Sequence, residues 1–339
     1  MKPSTKIYVA GHTGLAGSAL VRELRKRGHD NFALRTHAEL DLTDRAAVRA
    51  FFEKERPEHV YLAAAKVGGI MSNFELPAEF IHLNVAIQDN VIEESRRAGV
   101  QRLMFLGSVC IYPRECPQPI KEEYLLTGPL EFTNRPYAIA KIAGVEMCWA
   151  YNRQYGTRYL AVMPNNLYGP GDRYDLKHSH VLPAFIRRFH EAKVSGMKSV
   201  TLWGTGTPRR EMLYSDDMAE ACVNLMELPD KEYDRLLGPQ HSALSTQHSA
   251  LGASAAQPPL INIGWGEDYT IRELATRVKR VVGYKGEITW DSSKPDGTPR
   301  KLLDVSRMKA MGWSPRTSLE VGLGNAYQDF LARFQAGKL

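Results

Sequence analysis

Cysteine is scarce in this sequence, and the scarcity already limits the possible chemistry. The 339 residues include four cysteines, and these do not follow the spacing of any metal-binding motif. They are also too sparse for a disulfide framework. We therefore expect reduced thiols, a cytoplasmic location and no metal site. The cysteines are Cys110, Cys116, Cys148 and Cys222.

Long apolar runs and runs of basic residues are also missing. No apolar stretch approaches the ~20 residues that a membrane-spanning helix needs, and the first residues lack the pattern of a signal peptide. The net charge of +6 comes from scattered lysines and arginines, without a recognisable nucleic-acid motif. Such a modest excess suits a phosphorylated small molecule. We expect neither a membrane nor a nucleic acid among the partners.

A glycine-rich turn follows the first apolar segment. Residues 7–10 are a predicted strand, and residues 18–26 are a predicted helix. The glycine spacing G-x-x-G-x-x-G allows a tight turn, a close approach of the backbone to a pyrophosphate, and close packing of helix on strand. The free N–H groups at the helix N-terminus would bind that pyrophosphate. The alternative interpretation is a glycine-rich turn without a ligand. The turn consists of Gly11, His12, Thr13, Gly14, Leu15, Ala16 and Gly17.

The second predicted strand, residues 32–34, lacks the acidic residue of an NAD site at its end. That residue is expected about 20 positions after the glycine turn, where it binds the ribose 2′-hydroxyl. Arg35 and His37 stand there instead, and their charge suits a 2′-phosphate. The sequence therefore predicts NADP(H); the alternative is that Arg35 is a solvated residue at the strand end.

Strands and helices continue to alternate, which is typical of a Rossmann-type α/β fold with a doubly wound parallel sheet. Ligands bind at the carboxyl ends of such strands, so we expect Ser108, Cys110 and Asn165 at one rim of the sheet. Further strands are predicted at 60–65, 103–106 and 159–163, and helices within 41–55 and at 83–99, 181–192 and 217–227.

Two units account for this pattern. We expect an NADP-binding Rossmann domain over residues 1–165, to which a segment near 211–228 returns. A smaller C-terminal α/β lobe over residues 166–339 would bind the substrate. Within that lobe the pentapeptide Gln-His-Ser-Ala-Leu occurs at 240–244 and again at 247–251. We expect a flexible surface loop at about 232–259 and a tandem duplication in it, rather than a metal site.

Tyr137 and Lys141 form a Tyr-x-x-x-Lys pair. On a helix, residues four apart lie on one face, one turn apart. A nearby ammonium favours the phenolate, so the tyrosine can move a proton at neutral pH. Asn134 and Pro136 predict the start of this helix just before the pair. The spacing alone is common on solvated helices, and the surrounding motifs give it weight.

In this order, the glycine turn, Ser108, the Tyr137/Lys141 pair and the strand-end Asn165 resemble the extended short-chain dehydrogenase/reductase superfamily. Longer segments resemble the GDP-L-fucose synthases within it, over essentially the whole chain except about 232–259. Those segments are residues 63–70, 105–108, 110–113, 136–144, 179–181 and 294–301.

The resemblance implies an enzyme that converts GDP-4-keto-6-deoxy-D-mannose to GDP-L-fucose. Cys110 and His180 would be the base and the acid that epimerise C3 and C5, which lie next to the C4 ketone. NADPH-dependent reduction of C4 would follow, with Tyr137 donating the proton. Lys141 would lower the pKa of the tyrosine and bind the nicotinamide ribose, and Ser108 would hydrogen-bond the C4 oxygen. A homodimer through helices of the cofactor domain is implied as well.

The resemblance also implies two sets of contacts. The cofactor set comprises the whole glycine turn together with Arg35, His37, Asp41, Leu42, Ala63, Ala64, Leu106, Gly107, Lys141, Pro164, Asn165, Asn166, Leu167 and His180. The GDP-sugar set comprises Arg188, Trp203, Arg210 and Asp296.

Three departures from the family pattern concern cofactor preference and rate. Thr13 stands where an arginine is usual, Val109 where a serine is common, and Tyr214-Ser215 where His-Val is usual. Two other functions stay open. One is a nucleotide-sugar 4-epimerase or 4,6-dehydratase that recycles a tightly bound NAD. The other is a non-catalytic NADP sensor on the same fold.

Overall fold

A parallel sheet lies at the centre of the computed structural model, which describes residues 1–176, 179–238, 258–294 and 296–339. The strand order reverses at β1 (Ile7–Ala10), which has β2 (Phe32–Ala33) on one side and β3 (His59–Leu62) on the other. In open α/β sheets such a switch point is where the dinucleotide binds. Across the sheet the strands are β2 (Phe32–Ala33), β1 (Ile7–Ala10), β3 (His59–Leu62), β4 (Arg102–Leu106), β5 (Tyr159–Pro164) and β9 (Leu260–Ile263).

Helices cover both faces of this sheet because its buried strands alternate their side chains between two apolar cores. Tyr8 and Ala10 point into one core, and Ile7 and Val9 into the other. The first core is closed by α2 (Arg45–Glu55), α4 (Pro77–Arg97) and α5 (Arg135–Tyr155). The second is closed by α1 (Leu15–Lys26), α7 (Ser215–Glu227), α8 (Asp230–Leu237) and α10 (Ser306–Ala310).

A second lobe stands above the carboxyl ends of the strands. One of its sheets contains β6 (Asn166–Tyr168), β8 (Arg209–Tyr214), β10 (Asp268–Thr270) and β12 (Arg300–Lys301), and a strand pair contains β7 (Ser199–Trp203) and β11 (Glu287–Asp291). Its apolar core is closed by α6 (Val181–Val194), α9 (Ile271–Val282) and α11 (Leu319–Gln335). Short elements elsewhere are α3 (Ile70–Glu75) and 3-10 turns at Val109–Ile111 and Glu122–Tyr124.

Helix and strand boundaries differ from the sequence predictions where the tertiary structure sets them. Helix α1 begins at Leu15, because the last glycine of the turn packs inside its first turn. Strand β3 ends at Leu62, so the alanines that follow are free to line a ligand site. Strand β9 joins the central sheet from a segment that the sequence placed in the second lobe.

The loop expected over 232–259 begins later than predicted. Residues 230–237 form α8, since Tyr233 and Leu237, four apart, both pack into the second core. The Gln-His-Ser-Ala-Leu repeat at 240–251 lies outside the described residues.

Within the described ranges, no helix combines the length and apolarity needed to cross a membrane. In that same part of the chain, no three His, Cys, Asp or Glu side chains converge as metal ligands would. All four cysteines are free thiols.

Candidate active site

The glycine turn can only be built from glycines at its two ends. Gly11 has a φ of +82°, and a Cβ there would lie 2.8 Å from the backbone nitrogen of Ala64. A Cβ on Gly17 would lie 2.1 Å from the Gly11 carbonyl oxygen. Gly14 is the N-cap of α1 and offers no side-chain cap, so the first-turn N–H groups stay open to an anion.

A buried polar atom beside this turn also lacks a partner. His12 Nδ1 is shielded from solvent and makes no hydrogen bond to any described residue. Burial lowers the pKa of His12, and the Glu39 carboxylate opposes that shift. An unpaired ring nitrogen, open helix N–H groups and a close backbone approach at the switch point together fit a dinucleotide.

Arg35 is already paired in this structure. Its guanidinium donates to Glu55 Oε1 at 2.6 Å and to the Leu34 carbonyl oxygen at 2.7 Å, and it lies 5.6 Å from the ring centroid of Phe51. Hydrogen bonds from Thr36 lower the pKa of the neighbouring Glu39. A 2′-phosphate would therefore have to compete with Glu55 for the charge of Arg35.

Three other predicted cofactor contacts follow β2. Asp41 accepts hydrogen bonds from Thr43 N at 2.9 Å and Thr43 Oγ1 at 2.8 Å, which lower its pKa. Leu42 packs in the first core. His37 lies close enough to Asp41 for its charge to lower that pKa slightly further.

Lys141 is buried at the carboxyl end of β4. Its side chain is on the inner face of α5, and Nζ donates to the Leu106 carbonyl oxygen at 2.8 Å. The same nitrogen lies 6.0 Å from the ring centroid of Tyr137, one helical turn earlier. Burial lowers the pKa of Lys141 to about 7. The amine is therefore poised between its charged and neutral forms near neutral pH.

Tyr137 holds its proton more tightly than a free phenol. Burial raises its pKa, the nearby sulfur of Cys110 raises it further, and the Ser108 hydroxyl lowers it by hydrogen bonding. Burial thus outweighs the lowering that the sequence predicted from Lys141, whose own charge is disfavoured by the same burial. The edge of the Phe80 ring, with centroids 6.2 Å apart, packs on the phenol.

Cys110 lies in a turn directly after β4. Ser108 caps this turn, and its Oγ accepts a hydrogen bond from the Cys110 backbone N–H at 3.3 Å. Two side chains from distant segments donate to the sulfur: Asn134 Nδ2 at 3.4 Å and Lys301 Nζ at 3.6 Å. The thiol therefore faces hydrogen-bond donors, one of them cationic, rather than an apolar core.

His180 is the N-cap residue of α6 and reaches the same cleft. Its side chain is exposed to the cleft, yet the surrounding protein desolvates the ring and lowers its pKa, and the charge of Lys301 lowers it further. Lys301 links the two groups, because its ammonium contacts the Cys110 sulfur and its charge acts on His180. A thiol and an imidazole linked in this way could exchange a proton with a substrate carbon.

A buried carboxylate joins the cofactor side of the cleft to β12. Glu211 is fully buried and accepts hydrogen bonds from Asn165 Nδ2, the Gly266 N–H at 2.6 Å and the Leu303 N–H at 2.9 Å. Burial raises the pKa of Glu211 to about 7, although these bonds oppose the shift. Asn165 Oδ1 in turn accepts from the Asn166 N–H at 2.9 Å.

The predicted GDP-sugar contacts all lie in the second lobe. The Trp203 ring is 55% exposed, and the guanidinium carbon of Arg188 lies 5.8 Å from its centroid. Asp296 accepts from Thr205 N at 3.1 Å and Thr205 Oγ1 at 2.7 Å. Burial lowers the pKa of Arg210, while the nearby Cys110 and Asp296 raise it. Arg210 therefore lies near both the thiol and Asp296.

The structure brings four of the proposed reacting side chains together, and His180 is related to them through the charge of Lys301. The sequence predictions missed three neighbours of this group. Asn134 was expected only to start a helix, and Lys301 and Glu211 were not singled out. Lys301 does occur in the segment 294–301 that resembles the GDP-L-fucose synthases, which is the one signal available. Among the predicted cofactor contacts, Leu106, Gly107, Pro164 and Leu167 lie at the ends of β4 and β5 or in β6.

Comparison with known proteins identifies the family of this chain. Residues 7–236 match the NAD dependent epimerase/dehydratase family. GDP-L-fucose synthase 1 of Arabidopsis thaliana is 52% identical over 328 residues, 97% of this chain and 94% of that protein. The GDP-L-fucose synthase of Escherichia coli (strain K12) is 50% identical over 328 residues, 96% of each chain.

A solved structure shares the fold over the same extent. The GDP-mannoheptose C4 reductase from Campylobacter jejuni, with NADP bound, is 39% identical, has a TM-score of 0.83, and covers 98% of this chain and 99% of its own. The present chain therefore belongs to the NAD dependent epimerase/dehydratase family, where it is similar over nearly its full length to curated GDP-L-fucose synthases.

Proposed function

We propose that this protein is an NADP-dependent oxidoreductase with epimerase activity that converts GDP-4-keto-6-deoxy-D-mannose to GDP-L-fucose. The observation that carries the proposal is that Cys110, a member of one set of proton-transfer groups, lies close to Tyr137 of a second set. Cys110 and His180 form one set, and Tyr137 with Lys141 forms the other; the charge of Cys110 already acts on Tyr137. A simple reductase would need only the second set.

Epimerisation needs acidic carbon-bound protons and a base beside them. Cys110, as its thiolate, removes the proton at C3 or C5, and the C–H electron pair moves to the C4 oxygen as an enolate. The Ser108 hydroxyl and the Tyr137 phenol donate hydrogen bonds to that oxygen and stabilise its charge. His180, in its imidazolium form, gives a proton to the opposite face of the same carbon, which inverts the carbon and leaves neutral imidazole.

Reduction of the ketone uses the second set. The chemistry that NADPH would supply when bound is a hydride for C4. Tyr137 donates its proton to the C4 oxygen, and its raised pKa suits this role because the phenol stays protonated until that oxygen becomes strongly basic. Lys141, once it exchanges its bond to Leu106 for a ribose hydroxyl, orients the nicotinamide end of the cofactor. Asn165 and Asn166 lie at the same edge of the central sheet, and we propose that they help to hold the cofactor.

The predicted GDP-sugar contacts suit a nucleoside diphosphate sugar. Arg188 and Arg210 offer planar guanidinium groups, which bind phosphate oxygens in pairs. Trp203 presents an exposed aromatic face beside Arg188. Asp296, held by Thr205, accepts hydrogen bonds from sugar or base donors. We propose these four as the GDP-sugar contacts.

We also propose that the protein is a cytoplasmic homodimer. The outward faces of α4 and α5 form a groove with an apolar part and a polar part. Its lining residues are Ile81, Val85, Ala86, Ala143 and Met147, together with His82, Gln88 and Asp89. Val85 and Ile139 on these helices are 38% and 44% exposed. Packing against the same two helices of a second copy would cover that surface. The free state of all four cysteines suits a reducing compartment.

The proposal is tested with purified protein, GDP-4-keto-6-deoxy-D-mannose and NADPH, with the product identified by NMR. We expect GDP-L-fucose and one NADPH consumed for each sugar. A product that forms without net consumption of cofactor would instead favour a 4-epimerase or a dehydratase. Tight NADP(H) binding without turnover of any nucleotide-keto-sugar would favour a sensor protein.

A further inference from the structure

Two cationic side chains, those of Lys301 and Arg210, lie side by side near Cys110. Lys301 of β12 pairs with Arg210 of β8 in parallel register, and paired residues in a sheet place their side chains on the same face. Arg210 directs one guanidinium nitrogen to the Arg209 carbonyl oxygen at 2.7 Å. Lys301 directs Nζ to the Cys110 sulfur at 3.6 Å. Of the two, Lys301 is the cation in contact with the thiol.

Several other titratable groups lie around Lys301 and Cys110. Arg210 and Tyr137 both respond to the charge of Cys110. Lys301 also acts on three further groups: its charge lowers the pKa of Glu131, partly offsets the raised pKa of Cys116, and adds to the lowering at His180. Glu131 is the anionic neighbour in this set, and its carboxylate is already bonded to Thr133 and Asn134.

The backbone of Lys301 is held firmly. Asn165 Nδ2 donates to the Lys301 carbonyl oxygen at 3.4 Å and also to Glu211, whose carboxylate accepts from the Leu303 N–H two residues further on. These bonds fix β12 on β8 from a fully buried position. Because this backbone is fixed, the Lys301 side chain places its ammonium group in a narrow region beside the Cys110 sulfur.

We infer that Lys301 takes part in the proton-exchange chemistry by stabilising the thiolate form of Cys110. A thiol becomes a base only when it loses its proton, and a cation in contact favours that loss. In the step, the C–H bond at C3 or C5 breaks, the S–H bond forms, and the electron pair passes to the C4 oxygen. Lys301 keeps its own protons throughout. Burial lowers the pKa of His180, and the charge of Lys301 adds to that lowering.

This inference rests on the proposed function for its role in catalysis, but thiolate stabilisation needs no sugar and can be measured without one. The rate at which iodoacetamide alkylates Cys110 reports the thiolate, and peptide mass spectrometry separates Cys110 from the other cysteines. The profile is measured between pH 5.5 and pH 9.5 for the wild type, Lys301→Met, Lys301→Gln and Lys301→Arg. Lys309→Met, an exposed lysine in the same C-terminal segment, is the control for loss of one positive charge.

We expect the neutral variants to be alkylated about tenfold or more slowly at pH 7, with the profile moved to higher pH by about 1 to 3 units. Lys301→Arg should recover most of the rate, and Lys309→Met should match the wild type. Circular dichroism identifies any variant that does not fold, and a second neutral variant then carries the test. Wild-type profiles for folded Lys301→Met or Lys301→Gln would overturn the inference.

Catalysis gives a second, separate measurement. Solvent deuterium incorporation at C3 and C5 should fall in Lys301→Met by about the factor seen in alkylation. If the wild-type protein does not act on the sugar, the proposed function is contradicted, but the alkylation result still tests whether Lys301 stabilises the thiolate. Normal alkylation together with slow exchange would instead contradict the role assigned to Lys301.

Discussion

Lys141 Nζ donates a hydrogen bond to the Leu106 carbonyl oxygen at 2.8 Å, and this bond ties the middle of α5 to the end of β4. The lysine is only 4% exposed. Burial brings its pKa to about 7 from an ordinary 10.5. Burial of this amine lowers the free energy of unfolding, and we expect the amine to be kept there because it binds a ligand.

The first prediction follows from that cost. The folded chain holds the Lys141 proton less tightly than the unfolded chain, so unfolding takes up a proton between pH 7 and pH 10.5. The penalty is therefore largest below pH 7 and fades as the pH rises. Lys141→Met should therefore be more stable than the wild type and unfold at a higher urea concentration. We expect its free energy of unfolding to be greater by about 3 kcal/mol at pH 6 and by about 1 kcal/mol at pH 9, after allowing for the lost hydrogen bond.

Unfolding in urea at the two pH values measures this difference, and the same variant should lose NADPH oxidation. Lys309→Met, in which the lysine is exposed, should show no such pH-dependent gain. A Lys141→Met protein less stable than the wild type at pH 6 would show that the bond to Leu106 outweighs desolvation.

The second prediction concerns the separation of the two proton-transfer sets. Cys110→Ser and His180→Gln should lower deuterium incorporation at C3 and C5 by at least about 100-fold, since each removes a positioned base or acid. Mass spectrometry of the recovered sugar measures the exchange. Cys116→Ser, a change of the same kind in the same loop, should exchange normally. Ordinary exchange in both site variants would contradict the roles given to Cys110 and His180.

The third prediction concerns cofactor preference. Arg35 is paired with Glu55 at 2.6 Å, so a 2′-phosphate receives only part of its charge. Glu55→Gln should raise kcat/KM for NADPH relative to NADH several-fold, while Arg35→Met should lower that ratio by about tenfold, the value of a charge-assisted hydrogen bond. Steady-state kinetics with both cofactors give the ratio. An unchanged ratio in Arg35→Met would exclude Arg35 as the 2′-phosphate contact.

The fourth prediction contrasts two glycines in helices. An alanine Cβ at Gly17 would lie 2.1 Å from the Gly11 carbonyl oxygen, whereas nothing lies within 4 Å of a Cβ at Gly324 in α11. Gly17→Ala should lower Tm and weaken NADPH binding, because α1 must move away from the turn. Gly324→Ala should raise stability by up to about 1 kcal/mol. Thermal unfolding and cofactor titration check both, and equal effects of the two changes would refute the close packing.

The fifth prediction tests the proposed dimer. Val85→Glu places a charge in the apolar part of the groove of α4 and α5 and should give a monomer in size-exclusion chromatography with light scattering. Val321→Glu, a change of the same kind at a valine of α11 that is 57% exposed, should leave the oligomeric state as it is. A dimer that survives Val85→Glu would place the interface elsewhere.

Local patterns in the sequence predict the central part of the fold well. The buried strands β1 and β4 are short apolar runs, and the glycine turn can be recognised from the spacing of its glycines. Strand β9 and helix α8 escaped prediction, because each depends on packing against the central sheet rather than on a strong local pattern. The start of α9 is set locally, since Thr270 and Glu273 form a complete capping box within four residues.

The sequence by itself determined the glycine turn, the alternation of strands and helices in the first half of the chain and the Tyr-x-x-x-Lys pair, since these features are set by neighbours along the chain. The family resemblance added the other proposed reacting side chains. Only the tertiary structure decided which distant groups act on them. The Lys301 contact with Cys110 spans 191 residues, and Asn165 meets Glu211 across 46. Such pairs form when β12 closes on β8 above the central sheet, and the charge and burial they impose on the cleft cannot be read from residues taken a few at a time.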